Sequence, residues 1–224
     1  MNLYKKSIVI LISGGLDSST IVGIAKKEGA VINGLSFDYG QRHKKELKAA
    51  QEIASHFSID EFKTINLDLS LWGGSSLTDK SKTIPLQGLQ TNKIPNTYVP
   101  GRNTIFIATA LSYAEAIHAD YIGLGINSLD YSGYPDCRPD YIQKFQELAN
   151  LSNKRGREED PIQLWTPLIT LNKVEIIELA NQNNVPIDQT WSCYSGGEKP
   201  CGRCDSCRIR ESALQEWSNQ NKKK

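Results

Sequence analysis

The stretch from Ser7 to Glu28 constrains the fold most. A short β-branched run, Ser7 to Ile12 (SIVILI), breaks at Gly14-Gly15 and passes into a helical segment from Asp17 to about Glu28, which Gly29 stops. A buried strand that turns through glycines directly into a helix is the opening unit of a parallel sheet, because parallel strands need a crossover between them. The pattern repeats. Val31 to Phe37 predicts a second strand, and Phe62 to Leu67 a third. Between them, Leu47, Ala50, Ile53, Ala54 and Phe57 recur at helical spacing within Lys44 to Phe57. The β-α-β-α-β order predicts an α/β fold: a doubly wound, mostly parallel sheet with helices on both faces.

From about Asp68 to Pro100 the periodicity dissolves among Gly73-Gly74, Pro85, Pro95 and Pro100, as in a functional loop. Arg102 to Ile117 predicts a buried helix and Tyr121 to Leu124 a short strand. Asp140 to Leu151 is helical, Leu164 to Pro167 extended, and Asn172 to Asn181 a helix capped by Asn172. A last helix runs from about Cys204 to Trp217. The 224 residues divide into a nucleotide-binding α/β domain, residues 1–185, and a small metal-binding C-terminal segment, residues 186–224.

Composition excludes several classes. Apolar residues at 39% can build a core, and charged residues at 23% are ordinary for a globular chain, so disorder and collagen-like structure are excluded. Lys+Arg number 26 against 25 Asp+Glu, a net charge of +1, so no nucleic-acid partner is expected. The apolar run Ile8 to Ile12 is far short of the roughly 18 residues of a membrane span. It is also short for a secretory signal, so a cytoplasmic protein with no membrane partner is expected.

Ser13-Gly14-Gly15-Leu16-Asp17-Ser18 lies between the first strand and the first helix. Glycines there let backbone N–H groups form an anion nest, the helix adds its positive end, and Ser13, Ser18 and Ser19 offer hydroxyls. A Walker loop is excluded by the missing lysine, and a dinucleotide fingerprint by the adjacent glycines. Asp17 can act at phosphates or support the helix start, and the two roles are compatible.

The second cluster is Cys193 with Cys201-x-x-Cys204-x-x-Cys207. Four thiolates at this spacing suit a closed tetrahedral zinc site. An iron–sulfur cluster is the alternative; it is less favoured because the fourth cysteine lies upstream and no Cys-Pro follows the run. Cys137 stands apart and is read as a non-ligand.

Three loops follow predicted strands or precede predicted helices: Phe37 to His43 (FDYGQRH), Val99 to Asn103 (VPGRN) and Ser132 to Arg138 (SGYPDCR). Loops at the carboxyl ends of parallel strands converge on one crevice. They bring Arg42, His43, Arg102, Tyr134, Asp136 and Arg138, which suit a flat polar heterocycle that needs stacking and edge hydrogen bonds. Arginine at the start of an apolar helix points to an anion.

The SGGLDS loop resembles the PP-loop of N-type ATP pyrophosphatases. Together with YGQRH, PGRN, SGYPDCR and the four cysteines, it closely resembles the 7-cyano-7-deazaguanine synthase family of queuosine precursor biosynthesis, from Ile8 to about Arg210. The resemblance implies cleavage of ATP, with Mg²⁺, between its α and β phosphates. It implies adenylylation of 7-carboxy-7-deazaguanine, and then of its amide, with ammonia as the nitrogen donor. It places ATP on Leu11, Ile12, Ser13, Gly14, Gly15, Leu16, Asp17, Ser18, Ser19, Thr20 and Ile21. Asp17, Arg102 and His43 become the expected catalytic residues, and Arg42, Tyr134, Asp136 and Arg138 the expected substrate contacts. Zn²⁺ on Cys193, Cys201, Cys204 and Cys207, and a homodimer, complete the expectation. A PP-loop tRNA-modifying enzyme, a ligase joining the same carboxylate to another amine, and a zinc-stapled nucleotide-binding module remain alternatives.

Overall fold

The computed structural model describes residues 2–86, 94–127 and 133–222. Its centre is β1, Ser7–Leu11, whose side chains alternate between faces: Ile8 and Ile10, with Ile12 just beyond, enter one hydrophobic core, while Val9 and Leu11 enter the other. Strands β2 (Val31–Asp38), β3 (Glu61–Asn66), β4 (Tyr121–Gly123) and β5 (Gln163–Trp165) complete the five-stranded sheet in the order β3-β2-β1-β4-β5. Every pairing is parallel.

Helices α1 (Leu16–Lys27), α2 (Lys45–His56), α5 (Lys173–Gln182) and α6 (Asp205–Asn221) pack on one face. The other face carries α3 (Arg102–Ala116) and α4 (Pro139–Ser152). The two-faced parallel sheet expected from the sequence is therefore present. Short additions include a single helical turn at Lys154–Arg157 and 3-10 turns at Leu69–Trp72 and Pro135–Cys137. A capping box starts α5: the Asn172 side chain accepts from the Glu175 N–H at 3.0 Å, and Glu175 accepts from the Asn172 N–H at 2.8 Å.

Two elements differ from expectation. Helix α3 is buried along one stripe only, Ile107, Ala110, Leu111 and Ala114, while Ala108 and Ser112 face solvent. Its composition is apolar all round because small alanines sit on the open side. Helix α6 runs to Asn221, past Trp217. No helix among the described residues is long and apolar enough to cross a membrane.

Candidate active site

Strand order reverses beside β1: the chain adds β2 and β3 on one side, then crosses to β4 on the other. Ligands bind such sheets outside the carboxyl ends of the strands at this switch point. Here the Ser13–Ser18 segment lies at that position, joining β1 to the first turn of α1. Gly14 has φ +75°, and a Cβ on it would lie 2.4 Å from the Glu46 carbonyl oxygen and 2.5 Å from the Ala50 nitrogen. Across the loop, a Cβ on Gly125 would lie 2.8 Å from the Ser18 nitrogen. The loop is thus clamped between α2 and the end of β4, and both contacts admit only glycine. The Ser13 and Ser18 hydroxyls meet at 3.1 Å beside the first N–H groups of α1.

Asp17 is the charged residue of the loop. Its Oδ2 receives Lys173 Nζ at 2.6 Å and Asn127 Nδ2 at 3.0 Å. Its Oδ1 is buried, with no hydrogen-bond partner among the described residues. Lys173 is the first residue of α5, where the helix dipole disfavours a cation, so Asp17 is what makes the position tenable. Arg210 of α6 lines the same end of the cavity and donates to Thr190 Oγ1 at 2.6 Å.

The opposite end of the cavity is aromatic and charged. The Phe37 and Phe106 rings stack at 3.9 Å, and Tyr39 meets Phe106 edge-on at 5.6 Å. The Arg102 guanidinium sits over the Tyr39 ring at 5.6 Å. Burial opposes its charge, but Tyr39, Tyr134 and Cys137 more than offset this and hold it above its usual value. Burial pushes the Glu46 carboxyl up to about 7, although Arg102 and hydrogen bonds from Gln41 and Tyr39 pull the other way. Tyr134 OH lies 3.0 Å from Thr97 Oγ1, and Asp136 Oδ2 accepts from the Asn103 N–H at 3.0 Å.

The sulfurs of Cys193, Cys201, Cys204 and Cys207 all lie within 4.8 Å of one another. A single ion with ~2.3 Å bonds needs sulfurs about 3.8 Å apart, and Cys201 and Cys207 stand at 4.0 Å. Backbone N–H groups point at the sulfurs: Cys201 to Cys193 at 3.3 Å, and Cys204 to Cys201 at 3.3 Å. Burial would raise the Cys201 thiol, but the Arg203 and Cys204 N–H groups bring it down to about 6. Burial and the neighbouring Cys204 hold the Cys207 thiol up. Four thiolates this close are mutually tenable only around a cation, so the group fits a metal ion.

The family model described as queuosine biosynthesis protein QueC matches residues 7–218. The chain belongs to the QueC family. A protein named 7-cyano-7-deazaguanine synthase from Prochlorococcus marinus (strain AS9601) is 75% identical over 224 residues, covering 100% of both chains. Another of that name, from strain NATL2A, is 58% identical over 214 residues, 96% of this chain and 95% of that protein. Among solved structures, an NMN synthetase from Francisella tularensis has a TM-score of 0.52 at 16% identity, covering 96% of this chain and 85% of that one, a likeness of fold alone.

In this QueC-family chain, Leu11, Ile12, Ser13, Gly15, Leu16, Asp17, Ser18, Arg102, Tyr134 and Asp136 line one cavity. Other residues singled out in the sequence lie elsewhere. Ser19 and Thr20 turn their hydroxyls to the Gly15 and Leu16 carbonyls at 2.8 Å each, and Ile21 enters the core. The Arg42 guanidinium donates to the Ser76, Asp79 and Lys82 carbonyls, fastening that loop. His43 packs 6.2 Å from the Trp191 ring, and burial lowers its imidazole, which is therefore mainly neutral at pH 7. Arg138 is exposed and pairs with Asp140 at 3.4 Å. Ser132 lies outside the described residues. Cys137, apart from the metal group, lines the cavity, where Asn103 Nδ2 reaches its sulfur at 3.0 Å. Sequence reading missed Glu46, Lys173 and Arg210. A cation opening α5 was a usable signal for Lys173.

Proposed function

We propose that the protein converts 7-carboxy-7-deazaguanine and ammonia to 7-cyano-7-deazaguanine, consuming ATP. The observation that carries this reading is the end-to-end match to proteins of that name. The cavity supports it by joining the PP-loop to an aromatic, charged pocket.

Ammonia does not displace oxide from a carboxylate. Attack of the carboxylate oxygen on the α-phosphorus of ATP releases pyrophosphate and gives an acyl-adenylate. Ammonia then expels AMP and a proton to give the amide. The amide oxygen attacks the α-phosphorus of a second ATP and releases pyrophosphate, and loss of AMP together with both amide N–H protons leaves the nitrile. Both halves are attack of an oxygen on the same phosphorus, so one site serves both. The chain supplies placement and fixed charge.

In this assignment the N–H groups and hydroxyls of Ser13 to Ser19 hold the leaving pyrophosphate, with Lys173 as a cation beside it. Arg102 neutralises the α-phosphate or the substrate carboxylate. Tyr134 and Asp136 shape the nucleobase pocket. Arg42 and His43 act as positioning residues from behind it, and Arg138 borders the same loop. Asp17 Oδ1 is the hard oxygen that would take Mg²⁺, which when bound neutralises phosphate charge. Cys193, Cys201, Cys204 and Cys207 would hold zinc, which when bound staples the C-terminal segment, residues 186–224, beside the α/β domain of residues 1–185. The closeness of the sulfurs favours one ion over an iron–sulfur cluster. The near-neutral charge supports small-molecule partners over nucleic acid. A cytoplasmic homodimer is the working form.

The test is one incubation of metal-loaded protein with ATP, Mg²⁺, ammonium and 7-carboxy-7-deazaguanine. The expected outcome is the nitrile by mass spectrometry with two AMP per nitrile. AMP without nitrile would move the assignment to another amine or acceptor. No AMP would overturn it.

A further inference from the structure

We propose that the Glu46 carboxylate reads the N1–H and 2-amino edge of the deazaguanine, and so sets the nucleobase specificity of the site. The proposal rests on the substrate class just assigned. A guanine-type ring presents two adjacent N–H donors on that edge, and the side chain that accepts both is a carboxylate.

Among the described residues, the cavity is lined by three carboxylates: Asp17, Glu46 and Asp136. Asp17 lies at the phosphate loop, where Lys173 and Asn127 hold its Oδ2. Asp136 accepts from the N–H of Asn103 at the start of α3. At the aromatic end the Asp136 Oδ2 is taken by the Asn103 N–H, and the Glu46 carboxylate faces Tyr39 and Arg102 with acceptor capacity suited to a ligand. It is placed there rigidly, because its own backbone carbonyl backs onto Gly14. Tyr39 lies beside it, and Phe106 meets Tyr39 edge-on at 5.6 Å, so the surroundings are aromatic, as a flat ring requires. Arg102, over Tyr39, offers donors for the oxygens of the same molecule, its carboxylate or the carbonyl next to N1–H.

The charged and titratable groups facing Glu46 are Arg102 from α3, and Asp38 and Tyr39 from the end of β2. Burial and Asp38 raise its carboxyl to about 7, while Arg102, Gln41 and Tyr39 partly oppose them. Two N–H donors on the ligand would stabilise the ionised form. The nucleobase should therefore bind more weakly as pH falls through about 7, where the free carboxyl takes up a proton.

The experiment is equilibrium binding by calorimetry, which does not depend on turnover. 7-Carboxy-7-deazaguanine is compared with its analogue lacking the 2-amino group, on wild type and on Glu46→Gln, from pH 6 to 8. Wild type is expected to favour the parent compound by about 10- to 100-fold, the usual size of a bidentate base contact. In Glu46→Gln that preference should collapse to within about threefold, and the pH dependence should flatten. ATP affinity and the thermal midpoint should stay at wild-type values. Undiminished preference in Glu46→Gln overturns the proposal. Equal weakening of both ligands also overturns it, because Glu46 would then be a general support of the pocket. Discriminating binding without nitrile formation would defeat the assigned reaction and leave the role of Glu46 standing.

Discussion

Arg102 and Lys173 each open a helix, where the free N–H groups repel a cation. Such placements persist when an anion compensates. Lys173 has Asp17 at 2.6 Å, both side chains being largely buried. For Asp17→Asn, a loss of more than about 100-fold in kcat/KM for ATP is expected, since the residue meets both the lysine and the phosphate loop. Lys173→Ala should lose about 10- to 100-fold. Pyrophosphate release under saturating ammonium measures both. An Asp17→Asn enzyme within a few fold of wild type would end the phosphate role. The same electrostatics explains what the sequence concealed. Glu46 lies in the first turn of α2, where an acid is ordinary, so nothing in its position distinguished it. Arg42 was conspicuous beside His43, yet its guanidinium fastens the Ser76 to Lys82 loop.

The strand, loop and helix from Ser7 to Lys27 form the element on which the site depends. Gly14→Ala would strain a positive φ and drive a methyl into the α2 backbone at 2.4 Å. We expect a loss of about 2–5 kcal/mol in unfolding free energy by denaturant titration. A parallel loss of ATP affinity should follow, because α2 and the loop cannot both keep their places. Elements with a period were legible. The helical spacing of Ala50, Ile53 and Ala54 marks the face that α2 buries. The stretch from Asp68 to Pro100 carries no period, so its contribution of Leu77 and Thr97 to the cavity wall left no trace in the pattern. Helix α3 shows the limit of composition, since alanine is as common on its open side as on its buried one.

Across the whole molecule, the cysteine segment is tied to the loop that follows β1. The Trp191 N–H donates to the Gly14 carbonyl at 2.8 Å, two residues before Cys193. Lys45 Nζ lies 5.1 Å above the Trp191 ring, and His43 packs beside it. Stripping a metal ion loaded onto the four cysteines with a chelator should therefore weaken ATP binding by about tenfold or more and red-shift the Trp191 emission. Trp191→Phe isolates that emission from the other tryptophans. Unchanged ATP binding in metal-free, folded protein would show that the two ends are uncoupled.

The Trp191–Gly14 bond also bears on the order in which the molecule becomes competent. The ribosome delivers Gly14 early and Trp191 only after every strand of the sheet has been made. A nascent or prematurely ended chain can assemble strands yet lacks the tie that finishes its nucleotide loop. Chains ended before Trp191 are therefore expected to bind ATP more weakly than the full-length protein, and competence arrives late in synthesis.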